Sequence, residues 1–133
     1  MRIFPILEIE VNPEIFNFTL KDERLSLKTV VSYKYEKRLT LESIGEEVSG
    51  ANIVTANLFD PSETTIPPVE KLWLLSGLVT YGIKQLAQKK NIVFRPHVIY
   101  RGDSKLALVL CGYQRSLLRV AALEGGARRV DFE

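Results

Sequence analysis

The chain opens with apolar side chains at every second position. In ILEIEV, Leu7, Ile9 and Val11 fall on one face and Glu8 and Glu10 on the other. After the Asn12-Pro13 turn, IFNFTL brings Phe16, Phe18 and Leu20 together, so the pattern predicts a β-hairpin. The charged turn Lys21 to Arg24 leads into LSLKTVVSY, where Leu25, Leu27, Thr29 and Val31 resume the alternation, and a basic turn leads on to RLTLESI. Three or four antiparallel strands in succession are predicted, each burying one face. Between Gly45 and Pro67 the period is lost, and residues 45–67 are expected to form an irregular insertion or loop region.

The period then becomes that of a helix. Pro67-Pro68 marks its start and Glu70 suits the positive end of its dipole. Across VEKLWLLSGLVTYGIKQLAQKK, Val69, Leu72, Leu75, Val79, Ile83 and Leu86 form a stripe at helical spacing. At about 1.5 Å per residue such a helix is roughly 30 Å long, enough to cross a sheet. Gly77 and Gly82 each weaken it by up to about 1 kcal/mol relative to alanine, so close packing is expected at both. Trp73 is expected to anchor the core.

Residues 92–100, IVFRPHVIY, and 105–111, KLALVLC, are predicted as strand around the Arg101-Gly102-Asp103 turn. The closing helix places Leu117, Val120 and Ala121 on one side, and Gly125-Gly126 supplies a left-handed cap before the strand ARRVDF. Antiparallel strands followed by helix, strand, helix, strand is the ribonuclease-H-like α/β order, with helices packed on a mixed sheet. One domain over residues 1–133 is expected, with the last strand lateral.

Composition narrows the function. With 133 residues, 46% hydrophobic and 26% charged, the chain has room for a single core. A net charge of +2 from 18 basic and 16 acidic side chains, mixed along the sequence, is a poor nucleic-acid footprint. The single cysteine, Cys111, excludes an internal disulfide, and MRIFPILEIEV is unlike a signal peptide, so a cytoplasmic protein is expected. No stretch reaches the roughly 18 apolar residues of a spanning helix.

The order of elements and several local strings resemble the MreB-type bacterial actins that determine rod shape. SLLRVAALEGGARRVDF resembles the family's Arg- and Ala-rich helix running into a Gly-Ala-Arg turn and a strand. VEKLWLLSGLVTYGIKQL followed by NIVFRPHVIY is similar to its long helix, its short apolar loop ending in Arg/Lys-Pro, and its next strand. NLFDP and IGEEV sit where the family has a similar phrase and a Val-Gly-acidic turn, and the resemblance is collinear from about Ile6 to Phe132. It implies that the final strand closes the first half (domain I) of an actin-like molecule, whose second half is not in this sequence.

The resemblance also carries functional expectations. Actin-like proteins bind nucleotide between two halves, using an Asp-x-Gly-Thr phosphate turn after the first strand, where glycine lets backbone N–H groups approach phosphate. Here that turn is Glu10-Val11-Asn12-Pro13, without glycine and with a proline that removes a donor. No cofactor, no metal and no ATPase activity are therefore expected, and the favoured function is a non-catalytic cell-shape or cytoskeletal domain. A loop that inserts into the membrane in the family matches Ile92, Val93 and Phe94, flanked by Lys89, Lys90 and Arg95. The simpler reading of the same three apolar residues is that they begin a buried strand. The lateral strand, Arg128, Arg129, Val130, Asp131 and Phe132, offers a sheet edge to a partner or a second copy. Self-association through that edge or through the long helix is expected, with contacts at the inner face of the cell membrane and no nucleic acid.

Other residues suggest chemistry more faintly. Glu8 and Glu10, with Glu42, Glu124 and Asp131, invite the alternative of a metal-dependent ribonuclease-H-like nuclease, although an exposed strand face ordinarily carries such acids. His97, the only histidine, is expected to sit in a strand with a backbone partner, and Cys111 to be a buried, inert thiol. Gly112 to Ser116 is a strand-to-helix turn that matches no phosphate-loop pattern, and Arg128-Arg129 complements a helix end or faces water. A longer nucleotide-binding actin, of which this is the N-terminal piece, is the remaining alternative.

Overall fold

A computed structural model describes residues 5–35, 39–46, 50, 52–59, 66–90, 95–102 and 114–133. Three strands open it: β1 (Ile6–Val11), β2 (Ile15–Leu20) and β3 (Glu23–Lys28). They form an antiparallel meander in which Ile9 faces Phe18 and Phe18 faces Leu25. Three more strands follow, β4 (Val30–Tyr35), β5 (Leu39–Ile44) and β6 (Ile53–Asn57), and then α1 (Pro68–Lys89), β7 (His97–Arg101), α2 (Gln114–Glu124) and β8 (Arg129–Phe132). β7 and β8 extend the meander in parallel, giving a mixed sheet in the order β3-β2-β1-β7-β8. Antiparallel strands followed by helix, strand, helix, strand is the expected α/β order, with six described strands before α1 where three or four were expected.

Two expectations change. LSLKTVVSY is not one strand, because the chain leaves the first sheet at Thr29 and β4 becomes the middle strand of a second sheet, β5-β4-β6. The corner is fixed by hydrogen bonds: Thr29 N–H donates to Glu14 O, its hydroxyl donates to Pro13 O at 2.6 Å, and its carbonyl accepts from Leu58 N–H. The stretch expected to be irregular contains β6, which pairs antiparallel with β4 from Val30↔Asn57 to Lys34↔Ile53. The predicted strand at 105–111, with Cys111, lies outside the described residues.

The core lies between the five-stranded sheet and the two helices. Leu7, Ile9, Phe16, Phe18 and Tyr100 are fully buried against Leu74, Leu78 and Ile83 of α1 and Leu118 of α2. Each such side chain stabilises the fold by about 1.5–3 kcal/mol relative to exposure. The helix glycines sit at close approaches, as expected. A Cβ on Gly82 would lie 2.4 Å from Phe18 Cζ, and one on Gly77 would lie 3.1 Å from Leu41 Cδ1. Where α2 ends, Ala127 N–H donates to Ala122 O, Gly126 N–H donates to Leu123 O, and Gly126 takes a φ of 109°. This Schellman cap turns the chain from α2 into β8.

Trp73 is not a core anchor. It is 54% exposed, and Val69 is 77% exposed, because the buried arc of α1 runs through Leu74, Leu75, Leu78, Val79 and Ile83. On α2, Val120 is 49% exposed, and the buried positions are Leu118, Ala121 and Ala122.

Candidate functional site

Three surfaces follow from this scaffold, and the first is the β1–β2 turn. The Oδ1 of Asn12 accepts from the backbone N–H of Glu14 at 3.0 Å and of Ile15 at 2.9 Å. Asparagine thus closes the turn on itself, while Pro13 contributes no donor. The backbone N–H groups of Glu14 and Ile15 are thus bonded within the turn. A cleft of 570 Å³ opens beside it between the two sheets, lined in part by Pro13, Lys28, Thr29 and Phe59.

The second surface is the lateral edge. β8 is the outermost strand beside β7 among the described residues, with Val98↔Val130 and Tyr100↔Phe132 in register. Val130 is buried, Phe132 half-buried, and Arg128 and Arg129 are exposed. The Phe132 ring stacks on Tyr100 with centroids 5.2 Å apart. Tyr100 is itself fixed by donating its hydroxyl to Leu118 O at 2.8 Å, and burial pushes its phenol well above the usual tyrosine range. Two guanidinium groups also lie over the Phe132 ring, those of Arg115 at 5.0 Å and Arg119 at 5.3 Å from its centroid. Arginine over an aromatic face is favourable by about 0.5–1 kcal/mol at exposed sites.

The sheet face away from the helices carries an ionic row across β1, β7 and β8. Arg101 donates to Glu8 at 3.0 Å and to Glu133 at 3.2 Å, and these carboxylates raise its already high pKa. His97 Nε2 donates to Asp131 Oδ2 at 2.6 Å, and Arg129 donates to the same oxygen at 2.9 Å. The hydrogen bond from His97, with the neighbouring Arg129, holds the Asp131 carboxyl below the usual carboxylate range. The backbone partner expected for the His97 ring is thus replaced by a carboxylate.

The third surface is the outer side of α1, where Trp73, Ser76, Gly77, Thr80 and Tyr81 line a groove of 280 Å³ closed by Leu41 and Glu124. Val69 and Trp73, four residues apart, extend its apolar rim.

The remaining candidates are separated. Ile92, Val93 and Phe94 lie outside the described residues, as does the Gly112-Tyr113 turn. Of the cations beside that loop, Lys89 pairs with Glu23 at 3.2 Å, Lys90 pairs with Asp22, and Arg95 is exposed. The acids of the nuclease alternative are dispersed: Glu8 binds Arg101, Asp131 binds His97, Glu42 binds Lys34 in the second sheet, and Glu124 accepts from Ser76 at the far end of α2. Among the described residues no group of three His, Cys, Asp or Glu side chains is placed to hold a metal ion. No described helix is long and apolar enough to cross a membrane. The stacking of Arg115 and Arg119 on Phe132 was not anticipated; its one local signal is their spacing of four on α2.

Against solved structures, the chain is similar to MreB 5 of Spiroplasma citri bound to AMPPNP, with a TM-score of 0.65 at 12% identity over 100% of this chain. It is also similar to a non-polymerising mutant of MamK bound to AMPPNP, with a TM-score of 0.59 at 11% identity over 99% of this chain. The fold is actin-like. The chain spans 39% and 42% of the length of these two actin-like proteins, and at such identities the likeness lies in the backbone path and not in particular side chains. No protein-family model and no curated protein matches the sequence.

Proposed function

We propose that this chain is a non-catalytic actin-like scaffold that works through protein contacts at the cytoplasmic side of a membrane. The observation that carries the reading is the Asn12 turn. Both actin-like neighbours hold AMPPNP, whereas here the amides of Glu14 and Ile15 are satisfied by Asn12 Oδ1 and the next position is proline. A phosphate would have to displace bonds that the turn makes for itself, with no net gain in hydrogen bonding. Self-association belongs on the outer side of α1, where Val69, Trp73 and Tyr81 expose apolar surface around the 280 Å³ groove. Membrane contact, if made by Ile92 to Phe94, draws its charge from Arg95, since Lys89 and Lys90 are tied to Glu23 and Asp22.

Sedimentation velocity on the purified chain, with and without ATP–Mg²⁺ and anionic liposomes, tests the proposal. Dimers or larger species that ignore nucleotide, with co-sedimentation weakened by Phe94→Ser, are expected. A monomer that shifts on adding ATP–Mg²⁺ refutes the non-catalytic reading. That outcome would favour the second reading, in which the chain supplies one part of a nucleotide-binding actin, as the 39% and 42% coverage of the neighbours suggests.

A further inference from the structure

We infer that the outer side of α1 pairs antiparallel with α1 of a second copy about a two-fold axis at Gly77, setting Trp73 against the partner's Tyr81 and Glu70 against the partner's Lys84. The inference rests on the self-association proposed above and gives it a register and a symmetry.

Spacing supplies the first part. Glu70, Trp73, Gly77, Tyr81 and Lys84 follow one another at intervals of three, four, four and three. At 3.6 residues per turn they share an arc of roughly 80° on one side of the helix. Trp73 is 54% exposed and Tyr81 39%, Lys84 is exposed, and Glu70 and Gly77 are half-buried. The stripe is a palindrome about Gly77, so an antiparallel copy centred there meets position 70 with 84 and position 73 with 81. Shape agrees with this register. Gly77 carries no side chain, and the 280 Å³ groove that it lines with Ser76 and Thr80 reaches both Trp73 and Tyr81. An apolar cavity of about 150 Å³ holds a benzene ring, so the groove has room for the partner's indole.

Charge selects a second copy and its direction. Glu70 accepts from the Tyr33 hydroxyl at 3.3 Å, which helps to fix it, and a carboxylate accepts more than one hydrogen bond. Lys84 has no ion pair among the described residues. Antiparallel pairing brings each Glu70 to the partner's Lys84 and opposes the two helix dipoles. Parallel pairing would set Glu70 on the partner's Glu70 and Lys84 on the partner's Lys84, where like charges repel. A two-fold interface must be complementary to itself, and acid to base, indole to phenol and glycine to glycine meet that condition. One helix pair is a small contact, so the dimer is weak and depends on concentration.

Trp73 is the chain's single tryptophan, so its emission reports on this surface alone. Sedimentation velocity and intrinsic fluorescence are measured on the full chain over a concentration series without nucleotide. A monomer–dimer equilibrium is expected, with the Trp73 emission moving to shorter wavelength over the same concentrations. Lys84→Glu should weaken the dimer roughly tenfold, because the symmetry turns two attractive pairs into two repulsive ones. Glu70→Lys should act alike, and an equimolar mixture of the two folded variants should dimerise more tightly than either alone, each offering the charge that the other lacks. Tyr81→Ser, at an exposed position, should weaken the dimer as well. A chain monomeric at every concentration, which leaves the groove to another occupant, a dimer indifferent to Lys84→Glu, or no gain on mixing would each overturn the inference. Dimers that leave the Trp73 emission unmoved use another surface, which refutes this register and leaves the scaffold reading standing. Association that needs ATP–Mg²⁺ refutes the scaffold reading, and its response to Lys84→Glu still decides the register.

Discussion

Replacing Gly82 with alanine sets two opposite effects against each other. On helix propensity alone the change should stabilise α1 by about 1 kcal/mol. The space is already filled, however: a Cβ at this position would stand 2.4, 2.5 and 2.8 Å from three ring atoms of Phe18, where carbon atoms prefer about 3.5–4.0 Å. Phe18 is fully buried on β2 between Ile9 and Leu25, so its ring has little freedom to retreat. Overpacking a core in this way costs about 1–3 kcal/mol, and overlap with three atoms of a pinned ring places Gly82→Ala near the upper end. The expected net effect is a loss of about 2 kcal/mol.

Gly77 provides the internal control. Its added Cβ would meet only the flexible end of Leu41, at 3.1 Å, so Gly77→Ala is expected to be neutral or to gain up to about 1 kcal/mol. Urea unfolding followed by far-UV circular dichroism measures both. With a slope of about 2 kcal/mol per molar for a chain of this size, the midpoint should fall by about 1 M for Gly82→Ala and hold or rise for Gly77→Ala. Combining Gly82→Ala with Phe18→Leu should recover part of the loss as a coupling between the two sites. A stabilised Gly82→Ala protein, or equal effects at the two glycines, would refute the claim that α1 is seated through Gly82 on Phe18.

Three further outcomes are expected. Thr29→Val removes the hydroxyl that donates to Pro13 O at the corner between the sheets, and should lower stability by about 1–2 kcal/mol in the same urea assay. Trp73→Ser should leave the unfolding midpoint nearly unchanged, within about 0.5 kcal/mol as for an exposed side chain, while reducing self-association in sedimentation; a large loss of stability would return Trp73 to the core. Asp131 has a folded pKa below its ordinary value, so its contribution is present above that ordinary value and is lost as the pH falls through the folded one. Acid unfolding of Asp131→Asn should accordingly show a shallower loss of stability below about pH 4 than the parent chain, and identical acid limbs would count against the His97–Asp131 bond.

What the sequence discloses here is parity, and what it conceals is partnership. Alternation in ILEIEV and IFNFTL states which side chains face the core, and Leu7, Ile9, Val11, Phe16, Phe18 and Leu20 are all fully buried. The same parity runs unbroken through Leu27, Thr29 and Val31, all buried, although between them the chain abandons β2 for β5 and β6. A period of two records faces and is blind to which strand lies alongside. The stripe on α1 was shifted for a related reason. The helix packs against both the sheet and α2, so its buried arc is wide and displaced toward Leu74 and Leu78, leaving Val69 and Trp73 outside. At the lateral edge, His97 and Asp131 meet only because β7 and β8 pair in parallel with Ile99 opposite Asp131, and Arg115 and Arg119 meet Phe132 only because α2 returns along that edge. Such contacts belong to the topology and have no local signature.

The β1–β2 turn is the place where sequence and geometry bear together on function. A loop built to hold phosphate keeps backbone donors turned toward the ligand, so without it they rely on water and the loop gains order on binding. In this chain Asn12 holds the amides of Glu14 and Ile15, and from the adjoining corner Thr29 donates its amide to Glu14 O and its hydroxyl to Pro13 O. Donors and acceptors at the start of the fold are thus matched to one another across the junction of the two sheets. The hairpin of this actin-like fold is thus completed from within, and it is on that closed turn that the proposal of a nucleotide-independent scaffold rests.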